Sequence, residues 1–133
     1  MLRGLLVVLL SLLLTACMGQ PGRDVVRAGL QVQLEQTQQE LGRQLRLEPP
    51  RVKVTRVRVA AVSPLTIGDR PSFRVEGDYD WRQGRAEQAT LSAQVPFEIY
   101  LQRQVQARTW RLARPAGETE GQQRWRTFYI PPV

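Results

Sequence analysis

The chain has 133 residues, with 19 Lys and Arg against 12 Asp and Glu, no histidine, a single cysteine and a net charge of +7. That length supports one folded domain with one hydrophobic core. The composition excludes disulfide bonds within the chain, Cys/His zinc sites, and Cys or Ser nucleophiles activated by histidine. A hydrophobic content of 42% with 23% charged residues is typical of a folded domain and not of a disordered chain.

The N-terminus combines a positive charge, a short apolar run and small residues. Arg3 precedes an apolar stretch over residues 5–14, interrupted by Ser11, and Thr15-Ala16 follows it. About ten apolar residues span only about 15 Å as a helix, half of the hydrocarbon core of a bilayer, which disfavours a permanent transmembrane helix. The pattern predicts a signal peptide over residues 1–16, cleaved after its small residues.

The motif Leu14-Thr15-Ala16-Cys17 resembles the lipobox of bacterial lipoproteins. This resemblance implies a diacylglyceryl thioether on Cys17, cleavage before that residue and, in many bacteria, acylation of the new amino terminus, for example with palmitate. Several acyl chains, at about 0.8 kcal/mol per buried methylene, make such an attachment stable. The alternative is a free thiol near the end of an ordinary signal peptide.

The same resemblance implies a location. In this family an Asp directly after the lipidated cysteine favours the inner membrane, and Met18 stands at that position. We therefore expect an exported protein, anchored by its lipid to the cell membrane or, as Met18 favours, the outer membrane. It would face the periplasm or the exterior.

The expected mature chain has a tether and one domain. Residues 17–23 form a lipidated, turn-rich tether, and residues 24–133 form a single α+β domain. Loss of residues 1–16 removes Arg3, which leaves 18 of the 19 basic residues against 12 acidic ones. A flexible tether of this length reaches on the order of 15 Å, so the domain would stay close to the lipid surface.

A helix is predicted at the start of the domain. Asp24 is the expected N-cap, and Pro49-Pro50 ends the helical pattern. Apolar residues recur at spacings of four and seven, which are Val26, Leu30, Leu34, Leu41 and Leu45. A helix with one face packed on a sheet is favoured over a coiled coil because sustained heptads are lacking.

After the prolines the hydrophobic period falls to two, which predicts five strands. The first, over residues 51–59, slips in phase between Val54 and Val57, which indicates a bulge near Thr55-Arg56. The second covers residues 72–81, and the third holds one apolar phase over residues 89–101. Residues 109–113 and 125–130 complete the set, separated by a loop that contains Pro115-Ala116-Gly117 and the acidic Glu118 and Glu120.

These elements predict an α+β fold, with one N-terminal amphipathic helix packed on a curved antiparallel sheet of four to five strands. In element order the fold resembles the cystatin and NTF2-like families, in which a curved sheet wraps an N-terminal helix. Residues 96–103 and 109–112 are similar to a segment of small uncharacterised lipoproteins from cyanobacteria, a resemblance that implies no activity.

Three carboxylates share one face of the second strand. Glu76, Asp78 and Asp80 lie at alternate positions, about 7 Å between neighbours, which is a geometry that an acid and a base could use. In this phase, however, they point away from the predicted core. A solvated stripe paired with arginines on neighbouring strands is favoured, and we expect a non-catalytic protein without cofactor or metal.

Basic residues form two groups that are candidates for binding. The first strand carries Arg51, Lys53, Arg56 and Arg58, and the C-terminal hairpin carries Arg103, Arg108, Arg111, Arg114, Arg124 and Arg126. Such groups fit anionic lipid headgroups or pairing with the acidic stripe, since arginine forks match phosphate and carboxylate. Aromatic residues interleave with them, but export argues against a nucleic-acid partner.

Three functions remain open. The favoured one is a membrane-anchored, non-catalytic interaction module that binds an envelope protein or an acidic envelope component. The second is a small-molecule carrier or enzyme with a pocket between helix and sheet, lined by Phe97, Trp110 and Trp125. The third is direct binding of anionic lipid headgroups through the arginine groups. A deep pocket with an inward charge favours the second, and a filled core with an exposed basic patch favours the first.

Overall fold

A computed structural model describes residues 19–84, 89–104 and 109–132. These ranges contain one helix followed by five strands, which are α1 (Arg23–Leu45), β1 (Val52–Ile67), β2 (Arg70–Gln83), β3 (Thr90–Arg103), β4 (Trp110–Thr119) and β5 (Gln122–Tyr129). The strands form one antiparallel sheet in the order β1-β2-β3-β4-β5. With α1 packed on one face, this is the α+β fold expected from the periodicity.

The predicted signal peptide, Cys17 and Arg108 lie outside the described residues. Over the part of the chain that is described, no helix is both long enough and apolar enough to cross a bilayer.

The hydrophobic core lies between α1 and the sheet. Its most completely buried apolar side chains come from the helix and three strands, and are Val26, Leu30, Val75, Ile99, Leu101 and Leu112. Burial of each such side chain stabilises the fold by about 1.5–3 kcal/mol. Gly29 brings the helix close to the sheet, because a Cβ on it would lie 3.0 Å from the Leu101 side chain.

The first half of α1 follows the predicted apolar stripe and the second half departs from it. Val26, Leu30 and Leu34 are buried, whereas Leu41 and Leu45 are 45% and 65% exposed. A helix of 23 residues is about 35 Å long, and its last turns extend beyond the buried cluster. The helix also starts earlier than predicted, since Gly22 is the N-cap and Asp24 lies in the first turn.

The side chain of Gln31 connects α1 to the edge strand β1. Its Nε2 donates to the carbonyl of Val52 and its Oε1 accepts the N–H of Val54, both at 2.8 Å. One helical side chain thus satisfies a donor and an acceptor that an edge strand would otherwise present without a neighbour.

The phase slip predicted in β1 is confirmed. The pairing of β1 with β2 shifts between Val54 and Arg56, which places a bulge at Thr55, and shifts again between Val59 and Ala61. The bulge at Thr55 lets β1 keep Val54 and Val57 on the core side although they are three residues apart.

The single apolar phase predicted for β3 is wrong. Tyr79 pairs with Val95 but Trp81 pairs with Ser92, so β3 has one residue more than β2 at this point. Gln94 takes a left-handed φ of 54° there. The extra residue reverses which side chains face the core, which leaves Leu91 74% exposed.

The loop predicted at residues 115–120 is mostly strand. β4 continues through Pro115-Ala116-Gly117, and its pairing with β5 shifts between Pro115 and Glu118. A bulge in a hairpin with an edge strand tolerates proline and glycine, which is why the β4–β5 pairing persists to the turn at Glu120.

Candidate functional site

The sheet face opposite α1, here called the outer face, carries the acidic stripe. Arg58 donates to the carboxylates of both Asp78 and Asp80, and Asp80 also accepts the backbone N–H of Gln94 at 2.8 Å. This is the pairing of stripe and arginine across strands that the alternation predicted.

The same network continues along the outer face. Arg74 lies 2.9 Å from Glu76 and 3.8 Å from Glu98, and the Tyr100 hydroxyl donates to Glu98 at 2.6 Å. We call Arg58, Asp78, Asp80, Arg74, Glu76 and Glu98 the outer-face network. Its four carboxylates each have an arginine partner on the same or a neighbouring strand.

The electrostatics of the outer-face network favour its ionised form. Hydrogen bonds from Arg58 and from the Gln94 amide lower the pKa of Asp80 to about 2, and Asp80 and Asp78 in turn raise the pKa of Arg58. The hydrogen bond to Glu98 raises the pKa of Tyr100. Asp80 is therefore a paired anion at neutral pH, a state that suits a salt bridge better than proton transfer.

The predicted basic residues of β1 do not act as one group. Arg51 precedes β1, and Lys53 and Arg56 are exposed on that strand, whereas Arg58 is held in the outer-face network.

The C-terminal candidates are also separated. Arg111 donates to the hydroxyl and the carbonyl of Thr127 at 3.0 and 3.2 Å. The guanidinium of Arg103 lies against Gly19, where a Cβ would come 2.6 Å from its Nη1. Arg124 and Arg126 are exposed on β5.

A groove between the second half of α1 and strands β4 and β5 brings three arginines together. We call it the arginine groove, and its lining residues are Gln36, Gln39, Glu40, Arg43, Gln44, Arg114, Arg126 and Phe128. Its volume is about 450 Å³ and it opens to solvent. Arg114 and Arg126 belong to the predicted C-terminal group. Arg43 was missed, because the strand pairing and the helix position are needed to bring it near them.

The arginine groove has an excess of positive charge. Arg114 and Arg126 are direct partners across the β4–β5 pair, an arrangement of like charges that destabilises a sheet. Arg43 lies in the last turn of α1, where the helix dipole favours a cation. Among described residues, none of the three forms a salt bridge, although Glu40 also lines the groove.

The arginine groove also contains an unsatisfied amide. The Oε1 atom of Gln36 is buried and accepts no hydrogen bond from any residue that the structure describes. An unsatisfied buried acceptor costs about 1–3 kcal/mol. Gln39 and Gln44 add further amides at the rim, and Phe128 adds an aromatic face.

The three aromatic residues expected to line one pocket do not meet. Phe97 packs edge-on against Tyr79 in the core, with 5.9 Å between the ring centroids, and Trp110 packs against Phe73, with 6.0 Å between the ring centroids. Trp125 contacts Tyr100 at 4.8 Å on the outer face. The alternation of β5 separates Trp125 from the helix side, where Arg126 lines the groove.

In the ranges 19–84, 89–104 and 109–132, no group of three or more Cys, Asp or Glu residues is arranged to hold a metal ion. No protein-family model, curated protein or solved structure matches this chain. Its function is therefore inferred from the sequence motif and from the two charged surfaces.

Proposed function

We propose that this protein is an exported lipoprotein whose α+β domain acts as a non-catalytic interaction module at a membrane of the cell envelope. The observation that carries the proposal is the motif Leu14-Thr15-Ala16-Cys17, which follows a charged start and an apolar run and contains the sole cysteine. In this proposal residues 1–16 are removed and Cys17 becomes the lipidated first residue.

The start of the folded domain is compatible with this anchor. Residues 18–22 separate Cys17 from the beginning of α1 at Arg23. A chain this short keeps the domain near the headgroups. In the proposed mature chain α1 is the N-terminal element, an amphipathic helix against a curved sheet.

Mass spectrometry of the protein from membranes tests the anchor. The expected mass is that of a chain beginning at Cys17 plus its acyl groups, and Cys17→Ala is expected to keep its leader and lose the added mass. The matched control is Met18→Ala, which changes the adjacent residue and leaves the sulfur in place. An unmodified chain that begins elsewhere than Cys17 would contradict the proposal.

The interaction role is supported by a filled core beside an exposed basic groove. Side chains of α1 and the sheet fill the space between them, and the arginine groove lies at its border. Crosslinking of the native protein in its membrane, followed by identification of the captured molecules, tests this role. We expect an envelope protein or an acidic envelope component that is captured less when the groove arginines are replaced. Capture that is unchanged by those replacements would argue against the groove as the contact.

The second candidate is direct binding of anionic lipid headgroups, and the position of Arg103 favours it. Its guanidinium lies against Gly19, two positions after the proposed lipid attachment. A cation at the lipid surface contributes roughly 1 kcal/mol. A chain that begins at residue 18, without leader or lipid, should bind vesicles containing phosphatidylglycerol less with added salt and less with Arg103→Gln. Its binding should be unchanged by Arg82→Gln. Binding that is insensitive to Arg103 and to salt would exclude this function.

The carrier or enzyme alternative draws its support from the arginine groove alone. The pocket it requires between helix and sheet would have to lie where Leu30, Ile99 and Leu101 are fully buried. A small molecule would instead bind at the open groove, on the helix side of β4 and β5.

A further inference from the structure

We propose that the arginine groove binds an anionic saccharide, in which a phosphate group contacts the arginines and the sugar hydroxyls contact the glutamines. This inference deepens the proposed function by naming the acidic envelope component that the domain would bind. The binding itself is a property of the groove and does not depend on lipid at Cys17.

The cations of the groove define the anionic part of the ligand. Arg114 and Arg126 face each other across two paired strands, and Arg43 approaches from the last turn of α1. Guanidinium groups from three elements can donate to different oxygens of one tetrahedral phosphate. A bound phosphate would also remove the repulsion between Arg114 and Arg126, so the arrangement is more favourable with an anion than without one.

The other lining residues define the rest of the ligand. The amides of three glutamines, Gln36, Gln39 and Gln44, line the groove with the arginines. Hydroxyl groups both donate and accept, and they satisfy such amides better than an apolar chain does. Phe128 offers an aromatic surface to the C–H face of a sugar ring. A groove of about 450 Å³ accommodates one phosphorylated monosaccharide unit.

The outer-face network provides the contrast that makes the groove specific. Arg58 and Arg74 already bond carboxylates of their own chain, so an anion that approached them would have to displace Asp78, Asp80 or Glu76. The groove arginines have no such described partner to lose. An anion should therefore bind the arginine groove in preference to the arginines of the outer-face network on β1 and β2.

Titration of the full chain in neutral detergent with glucose 1-phosphate, followed by NMR of the arginine Nε–H groups, tests the proposal. The signals of Arg43, Arg114 and Arg126 should shift, and the dissociation constant should rise about tenfold or more in the double variant Arg114→Gln/Arg126→Gln. Arg82→Gln removes one positive charge from β2, as each groove substitution does from its own strand, and should leave the dissociation constant within about twofold of the parent.

Three further ligands decide what is recognised. Glucose should not bind measurably, and inorganic phosphate should bind several-fold more weakly than glucose 1-phosphate. Equal affinity for inorganic phosphate and glucose 1-phosphate would overturn the saccharide assignment. Equal weakening by Arg82→Gln, or signal shifts at the groove with phosphatidylglycerol vesicles but not with glucose 1-phosphate, would overturn the site.

The titration with glucose 1-phosphate and the test of the lipoprotein proposal can succeed or fail independently of each other. Binding of glucose 1-phosphate by a chain that mass spectrometry finds without lipid would keep the groove and reject the anchor. A lipidated chain that fails to bind it would keep the anchor and reject the groove.

Discussion

Arginine occurs in two different environments in this molecule, one on each side of the sheet. On the outer face, Arg58 and Arg74 bond four carboxylates on the same or neighbouring strands. In the arginine groove, Arg114 is paired in register with Arg126, and no described carboxylate lies within salt-bridge distance of either. The comparison teaches that arginine number alone does not locate a binding surface. The arginines that we propose to bind a ligand differ from the others in forming no salt bridge with any residue that the structure describes.

The largest expected effect comes from separating β1 and β2, which carry all of the outer-face network except Glu98. A Cβ on Gly77 would lie 2.0 Å from the carbonyl oxygen of Arg58, so Gly77→Ala forces the two backbones apart. We expect a loss of about 3 kcal/mol in the free energy of unfolding, measured by urea denaturation. Gly22→Ala is the comparison, because nothing lies within 4 Å of its added Cβ, and as an alanine at the N-cap it should cost about 1 kcal/mol or less. Equal stability of Gly77→Ala and the parent would show that β1 and β2 are not this close.

The next effect tests the paired arginine directly. Arg58→Gln leaves Asp78 and Asp80 as neighbouring anions without their shared cation, so Tm should fall by a few degrees. Arg82→Gln, on β2, should change Tm much less. If both variants had the same Tm, the bonds that Arg58 forms with Asp78 and Asp80 would contribute nothing measurable to stability.

Acid should weaken the outer face in a defined range. The folded-state pKa of Asp80, about 2, is below the ordinary value of 3.8 because Arg58 and Gln94 stabilise its anion. The stability that Asp80 contributes is therefore complete above about pH 4 and is lost as the pH falls to about 2. Unfolding measured between pH 6 and pH 2 should show a shallower loss in Asp80→Asn than in the parent. Identical slopes would contradict the pairing.

The smallest effect has the opposite sign. Arg126→Gln removes one of two like charges that face each other, so without ligand it should leave stability unchanged or raise it by about 0.3 kcal/mol. The same chemical change at Arg58 is expected to destabilise. Urea denaturation of the two variants side by side makes this comparison, and a clear destabilisation by Arg126→Gln would mean that Arg126 has a partner in its own chain.

Sequence patterns predicted the outer face better than the groove. Strict alternation around Tyr79 placed Glu76, Asp78 and Asp80 on one solvent face. Because side chains alternate between the two faces of a strand with a period of two residues, the sequence pattern determines this assignment almost completely. The groove depends on which residues of β4 and β5 are partners and on where α1 crosses them. Those relations join residues far apart in the chain, and periodicity carries no signal of them.

Two local errors have a common physical origin. Gln94 adopts a left-handed backbone conformation although it is not glycine. The residue type therefore does not predict the bulge that places Leu91 on the solvent side. Leu41 and Leu45 continue the helical stripe, but they lie beyond the buried cluster and are exposed. In both cases the apolar pattern in the sequence is regular, but the packing of the folded chain does not follow it.

The amide of Gln31 has a consequence for self-association. An incoming β-strand would have to hydrogen-bond the same Val52 carbonyl and Val54 N–H that Gln31 already occupies. A second copy of the chain therefore cannot extend the sheet at this point unless the two hydrogen bonds from Gln31 are first broken. The Gln31 contact therefore protects this part of the β1 edge against edge-to-edge pairing between molecules.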